Sequence, residues 1–96
     1  MNPPLPVVSG REVIKVLESI GYVEVRQRGS HVRLRHPDAE THRPVTVPLH
    51  IELKRGLLRA IIRDSGLSVD DFLSHLSVDI YNNVLEEFRQ WSDESD

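Results

Sequence analysis

The sequence predicts a single α+β domain of order α-β-β-β-α(-α), with a three-stranded antiparallel sheet and an extra C-terminal helix. Apolar residues recur at helical spacing before residue 21 and after residue 56, but alternate with polar residues in between, as in strands. The 96 residues are too few to supply two separate cores. The simplest arrangement packs the helices on one face of the sheet and leaves the other face open.

The first helix is predicted to begin at Ser9. Ser9 and Glu12 have the spacing of a capping box, in which each side chain accepts a hydrogen bond from the other residue's backbone, and Val8 can pack on Val13. Gly21 is a natural stop, because glycine adopts the left-handed conformation at little cost. The apolar positions between these limits include Val13, Ile14, Leu17 and Ile20.

Three strands are predicted next, over residues 22–28, over residues 31–36 and between Pro44 and Pro48. Gly29 and Ser30 form a tight turn between the first two strands. The third strand must be short, because proline lacks a backbone donor. The residues expected to face the core are Val23 and Val25, then Val32 and Leu34, then Val45 and Val47.

The C-terminal third of the chain is predicted to be helical. A second helix has Lys54 and Arg55 at its start and stops at Gly66. A third helix begins at Leu67 with a second box-and-staple pattern and ends near Leu76. An amphipathic stripe then predicts a fourth helix. This stripe comprises Ile80, Tyr81, Val84, Leu85, Phe88 and Trp91.

Charge is unevenly distributed along the chain. Residues 1–63 hold 11 of the 12 Lys and Arg but six of the 15 Asp and Glu, and residues 64–96 hold the other nine acids. A basic body indicates a polyanionic partner, because Lys and Arg displace counterions from phosphates. Ordinary solvated faces give the same pattern. We expect a flexible lead-in over residues 1–8, a domain over residues 9–76 and an acidic helical extension over residues 77–96.

Missing features exclude several function classes. The chain has no cysteine, which excludes disulfides, thiolate ligands and thiol nucleophiles. It shows neither a secretory signal nor the roughly 20 apolar residues that cross a bilayer, so we expect a cytoplasmic protein without a membrane contact. Ser30 and His31 point to opposite faces of a strand, which excludes a serine nucleophile with an adjacent base. The spacings of His31, His36, His42 and His50 match no metal site, and we expect neither metal nor cofactor.

The segment of greatest chemical interest is Arg28-Gly29-Ser30-His31. A histidine that begins a strand beside a glycine turn can present its imidazole outward and exchange a proton near neutral pH. A structural or incidental histidine is the alternative. The residues expected to hold phosphates are Arg26, Arg28, Gly29, Ser30, Arg33 and Arg35, with Lys54 and Arg55 at the start of the second helix.

Taken together, these segments resemble the HicA family of toxin–antitoxin endoribonucleases over roughly residues 8–75. The resemblance rests on Ser9 to Leu17, Gly21-Tyr22-Val23, Arg28 to His31, Val45 to Pro48, His50, Leu53 to Ile61, and Leu67 to Leu73. It implies a fold like the double-stranded-RNA-binding domain, sequence-relaxed cleavage of mRNA, and a HicB-type antitoxin that blocks the active face. It also implies that His31 is the essential histidine, and His50 is a candidate second acid or base from its motif position.

Two alternatives to a nuclease stay open. The first is a non-catalytic RNA-binding module of the same fold, in which His31 and the arginines only contact the backbone. The second is a protein-interaction domain that uses the sheet edge and the final helix. Residues 77–96 extend beyond the family's usual end, and we expect them to pack on the domain or to form a homo-oligomer.

Overall fold

The fold, taken from a computed structural model, is described for residues 5–94, without the side chains of residues 83, 84, 88 and 90–94. Its elements are α1 (Gly10–Ser19), β1 (Val23–Arg28), β2 (His31–Arg35), β3 (Val45–Pro48), α2 (Arg55–Ser65) and α3 (Val69–Glu94). The strands form one antiparallel sheet in the order β1-β2-β3. The predicted fold class and sheet are therefore confirmed.

Helix α1 begins with the predicted capping box. The Ser9 hydroxyl accepts the Glu12 N–H at 3.2 Å, and a Glu12 carboxylate oxygen accepts the Ser9 N–H at 3.0 Å. Two backbone donors that would otherwise lack partners are thereby satisfied. Val13, Val16 and Leu17 are at most 1% exposed, so the helix start is held both by its cap and by the core.

The core lies between the helices and one face of the sheet. Among the described side chains, Phe72 of α3 is the largest that is fully buried. Burial of one such side chain is worth about 1.5–3 kcal/mol. Sheet and helix residues that are at most 5% exposed include Val32, Leu34, Val45, Val47, Leu58, Ile61, Ile62, Phe72 and Leu76. The predicted inward positions of β2 and β3 are thus confirmed.

Strand β1 differs from the prediction, because none of its side chains is buried. Val23 and Val25, expected in the core, are 57% and 50% exposed. The pairing register shifts between Glu24 and Arg26, which makes Val25 the extra residue of a β-bulge. Glu24 lies opposite the buried Leu34 and therefore takes the inward side that alternation had assigned to the valines.

Helix α3 replaces the two predicted C-terminal helices with one. No glycine or proline lies between Leu76 and Ile80, so nothing interrupts the backbone hydrogen bonds there. Phe72 and Leu76 are buried, and α3 packs against α1. Beyond Leu76, Val78, Ile80 and Tyr81 are exposed. Three residues of the predicted stripe, Val84, Phe88 and Trp91, lie outside the described side chains.

Leu5 and Val8 of the predicted lead-in pack against the domain, whereas residues 1–4 lie outside the described residues. Leu5 and Val8 are 8% and 2% exposed, and the Val8 carbonyl accepts the Leu53 N–H at 2.9 Å. Within the described part of the chain, no helix is both long and apolar enough to cross a membrane.

Candidate active site

The hairpin between β1 and β2 places His31 on the central strand of the sheet, next to the turn. Gly29 has φ +55°, and no other residue of the turn has a positive φ, as in a type II′ turn, which suits the twist of a two-residue hairpin. His31 is the first residue of the central strand and lies opposite Arg28 on one side and Pro48 on the other. Its ring is exposed.

The four predicted arginines of β1 and β2 lie together with His31 on the sheet face that points away from the helices. We call this surface the open face. It forms a shallow depression of about 460 Å³. The open face consists of Val25, Arg26, Arg28, His31, Arg33, Arg35 and Thr46. Among the described residues, Arg63 and Asp64 form the single ion pair within 4 Å, so the guanidinium groups of the open face are not paired with described carboxylates.

Thr46 is a residue of the open face that sequence reasoning missed. Its hydroxyl accepts a hydrogen bond from Arg33 Nη1 at 3.0 Å, and the two residues lie opposite each other on β3 and β2. This bond restrains the guanidinium group of Arg33. The alternation in β3 could have identified Thr46, because it places an exposed hydroxyl between the buried Val45 and Val47.

His50 lies beside His31, although nineteen residues separate them in the sequence. The two ring centroids are 6.4 Å apart, with the ring planes at 74°. The backbone around His50 is fixed on both sides. The Leu49 N–H donates to the Ser30 carbonyl at 2.6 Å, and the His50 carbonyl accepts the Gly10 N–H at 2.9 Å. Both imidazoles are exposed, and of the two only His31 borders the arginine-lined open face.

The sequence of the chain matches a model of one known protein family. The family model described as the HicA toxin of bacterial toxin–antitoxin matches residues 10–67, which is more than half of the chain. The chain belongs to the HicA toxin family. It is therefore the toxin of a toxin–antitoxin system and has an antitoxin as its partner. No curated protein matches the chain significantly. The HicA match ends before α3.

Lys54 and Arg55, the other predicted phosphate ligands of this HicA toxin, lie apart from the open face. They border a separate depression of about 200 Å³ with Leu5 and Glu52. Lys54 is the N-cap residue of α2, and no side chain caps the helix there.

Two other histidines of the HicA toxin, His36 and His42, have a structural position. Their ring centroids are 4.1 Å apart, beside Tyr22. His36 Nδ1 accepts the Asp38 N–H at 3.0 Å, so His36 Nε2 donates to the Ile20 carbonyl at 2.8 Å. Both nitrogens of His36 are therefore engaged. No three described His, Cys, Asp or Glu residues gather as metal ligands.

Tyr22 joins this pair to the end of α2. Its hydroxyl donates to the Arg43 carbonyl at 2.7 Å, and the Arg43 N–H donates to the Asp64 carbonyl at 2.8 Å. Burial of the phenol, with a smaller effect of the Asp64 carboxylate, raises the pKa of Tyr22 to about 12. Hydrogen bonds from Thr41 lower the pKa of Asp38 in the same loop. This network is absent from the open face and stabilises the loop before β3.

Proposed function

We propose that this HicA toxin is an endoribonuclease that cleaves mRNA on the open face, with His31 as the essential proton-transfer group. The observation that carries the proposal is that two exposed imidazoles, His31 and His50, lie 6.4 Å apart, and that His31 shares the open face with arginines that pair with no described carboxylate. Imidazole exchanges protons near neutral pH. A guanidinium group can donate two parallel hydrogen bonds to one phosphate. RNA supplies both the hydroxyl and the phosphate that these groups need.

The reaction that fits this pair requires no metal ion. One imidazole removes the proton from a ribose 2′-hydroxyl, and the 2′-oxygen attacks the adjacent phosphorus. The bond from phosphorus to the 5′-oxygen breaks, and the second imidazole, in its protonated form, gives a proton to that oxygen. The products are a 2′,3′-cyclic phosphate and a free 5′-hydroxyl. His31 is assigned to one of these steps and His50 to the other.

The basic residues bind the RNA backbone on either side of the cleaved bond. Arg33, whose guanidinium group is restrained by Thr46, lies two residues after His31 on the same face of β2. It is suited to stabilise the charge that develops on the phosphoryl oxygens. The remaining ligands proposed for the backbone phosphates are Arg26, Arg28, Gly29, Ser30, Arg35, Lys54 and Arg55. Phosphate contacts carry no base information, so cleavage is sequence-relaxed.

The antitoxin partner is proposed to be of the HicB type and to inhibit by covering the open face. A shallow surface of this kind is closed more completely by a folded protein than by a small ligand, because ligand sites are normally concave. The toxin then acts in the cytoplasm, where mRNA is accessible, once the antitoxin is removed.

The test is cleavage of a long single-stranded RNA by the purified protein in excess EDTA, beside His31→Ala. Loss of a proton-transfer group lowers the rate by about 10²–10⁴-fold. His75→Ala is the matched control, because His75 lies on α3, which packs against α1 on the other side of the sheet. Binding without cleavage by the wild type would instead support a non-catalytic RNA-binding module. Full activity of His31→Ala would refute the assignment.

A further inference from the structure

The loop that carries His50 is attached to the start of α1 by its backbone. The Gly10 N–H donates to the His50 carbonyl at 2.9 Å, and the Leu53 N–H donates to the Val8 carbonyl at 2.9 Å. Gly10 also lies against the end of β3. A Cβ added at Gly10 would overlap the Pro48 carbonyl oxygen and lie 3.2 Å from the Leu49 Cα. Only glycine permits this approach between the two segments.

We propose that Gly10 is a positioning residue, which holds His50 at its distance from His31. This inference rests on the proposed function. The His50 ring is exposed, and no described hydrogen bond fixes it, so its location depends on its backbone. Leu49 attaches that backbone to the sheet through Ser30, and Gly10 attaches it to α1. Without the attachment through Gly10, residues 50–52 would be held to the start of α1 only by the hydrogen bond from Leu53 to Val8, and His50 could turn away from His31.

The start of α1 is rigid enough to serve as this support. The capping box between Ser9 and Glu12 fixes the first turn, and Val8 and Val13 are at most 2% exposed. Gly10 itself is buried. The position of His50 is therefore set by the hydrophobic core through a short backbone connection. His31 lies on the central strand, where it pairs with Arg28 as well as with Pro48, so a shift of the His50 segment should change the distance between the two rings.

The experiment replaces Gly10 with alanine and uses Gly56→Ala as the matched control. Both glycines lie in the first turn of a helix, but a Cβ at Gly56 meets no atom within 4 Å. Gly10→Ala must push the Pro48 carbonyl away and carry His50 with it. A misplacement of about 1 Å lowers kcat by on the order of 10²-fold. We expect this loss in kcat with little change in KM, and an altered pH profile, whereas Gly56→Ala keeps wild-type values.

A structural readout separates this inference from the proposed function. NMR of the labelled protein should give a cross-peak between the His31 and His50 rings in the wild type and in Gly56→Ala, but not in Gly10→Ala. An inactive wild type whose cross-peak disappears in Gly10→Ala would refute the nuclease and uphold the positioning role. An active Gly10→Ala with the cross-peak intact would overturn the inference and leave the nuclease standing.

A second variant keeps the test decisive should Gly10→Ala not fold. An ester in place of the amide between Ser9 and Gly10 removes the N–H donor and adds no atom that clashes. The loss of one hydrogen bond predicts a decrease in kcat of about five- to tenfold. The ring cross-peak should weaken in parallel. An ester variant with unchanged kcat and unchanged cross-peak would contradict the role of Gly10.

Discussion

The number of arginines that touch RNA can be read from the salt dependence of binding, and Arg33→Gln tests the open face directly. For single-stranded RNA, the slope of log K against log salt is about −0.7 for each phosphate neutralised. The four arginines of the open face thus predict a slope of about −2.8, and Arg33→Gln one of about −2.1. Between 50 and 200 mM salt, affinity should fall about 50-fold for the parent and about 20-fold for the variant.

The assay is fluorescence anisotropy of a labelled single-stranded RNA, measured in the His31→Ala background so that the ligand stays intact. Arg59→Gln is the control, because Arg59 is exposed on α2 and does not border the open face. Contacts from Lys54 and Arg55 would steepen all slopes equally and leave the difference unchanged. If the slope became less negative in Arg59→Gln but not in Arg33→Gln, the RNA would lie on the helical side, and the reasoning would be refuted.

Three further predictions concern stability. Gly66→Ala should lower the free energy of unfolding by at least about 2 kcal/mol, because Gly66 has φ +80° and a Cβ there would overlap the Thr41 carbonyl oxygen; a thermal scan that loses less than about 5 °C would contradict this clash. In urea titrations, wild-type stability should fall by about 1.4 kcal/mol per pH unit between pH 10 and pH 12 relative to Tyr22→Phe, since unfolding returns the Tyr22 pKa from about 12 to 10.0. Phe72→Ala should lower the free energy of unfolding by about 3–5 kcal/mol, because Phe72 is 1% exposed. Deletion of residues 77–96 should leave the urea midpoint near that of the wild type. If the deletion were the more destabilising of the two, α3 would stabilise the fold mainly through its distal half.

Local chemistry explains which parts of the fold were predictable. The capping box at Ser9 and Glu12 involves residues three apart, so the sequence contains the whole interaction. The turn at Gly29 is equally local, and with it the outward position of His31. The single helix α3 was also within reach, because the segment between Leu76 and Ile80 has no helix-breaking residue.

Features that depend on distant partners were not predictable. The bulge at Val25 exists because β2 fixes which residues of β1 face the helices, and alternation alone cannot reveal an inserted residue. The same limit applies to the site. A glycine at the start of α1 indicates a close backbone approach, but its partner, Pro48, lies far along the chain. The contact of Thr46 with Arg33 and the geometry of His50 emerge only once β3 pairs with β2.

The bulge in β1 has an evolutionary consequence. None of the six side chains of this strand is buried, so exchanges along it do not disturb the core, and exposed substitutions usually change stability by about 0.5 kcal/mol or less. Selection for folding therefore places few demands on β1, although three of its residues border the open face. This strand can therefore change in step with an antitoxin that covers the open face, as proposed, without a matching adjustment elsewhere in the domain.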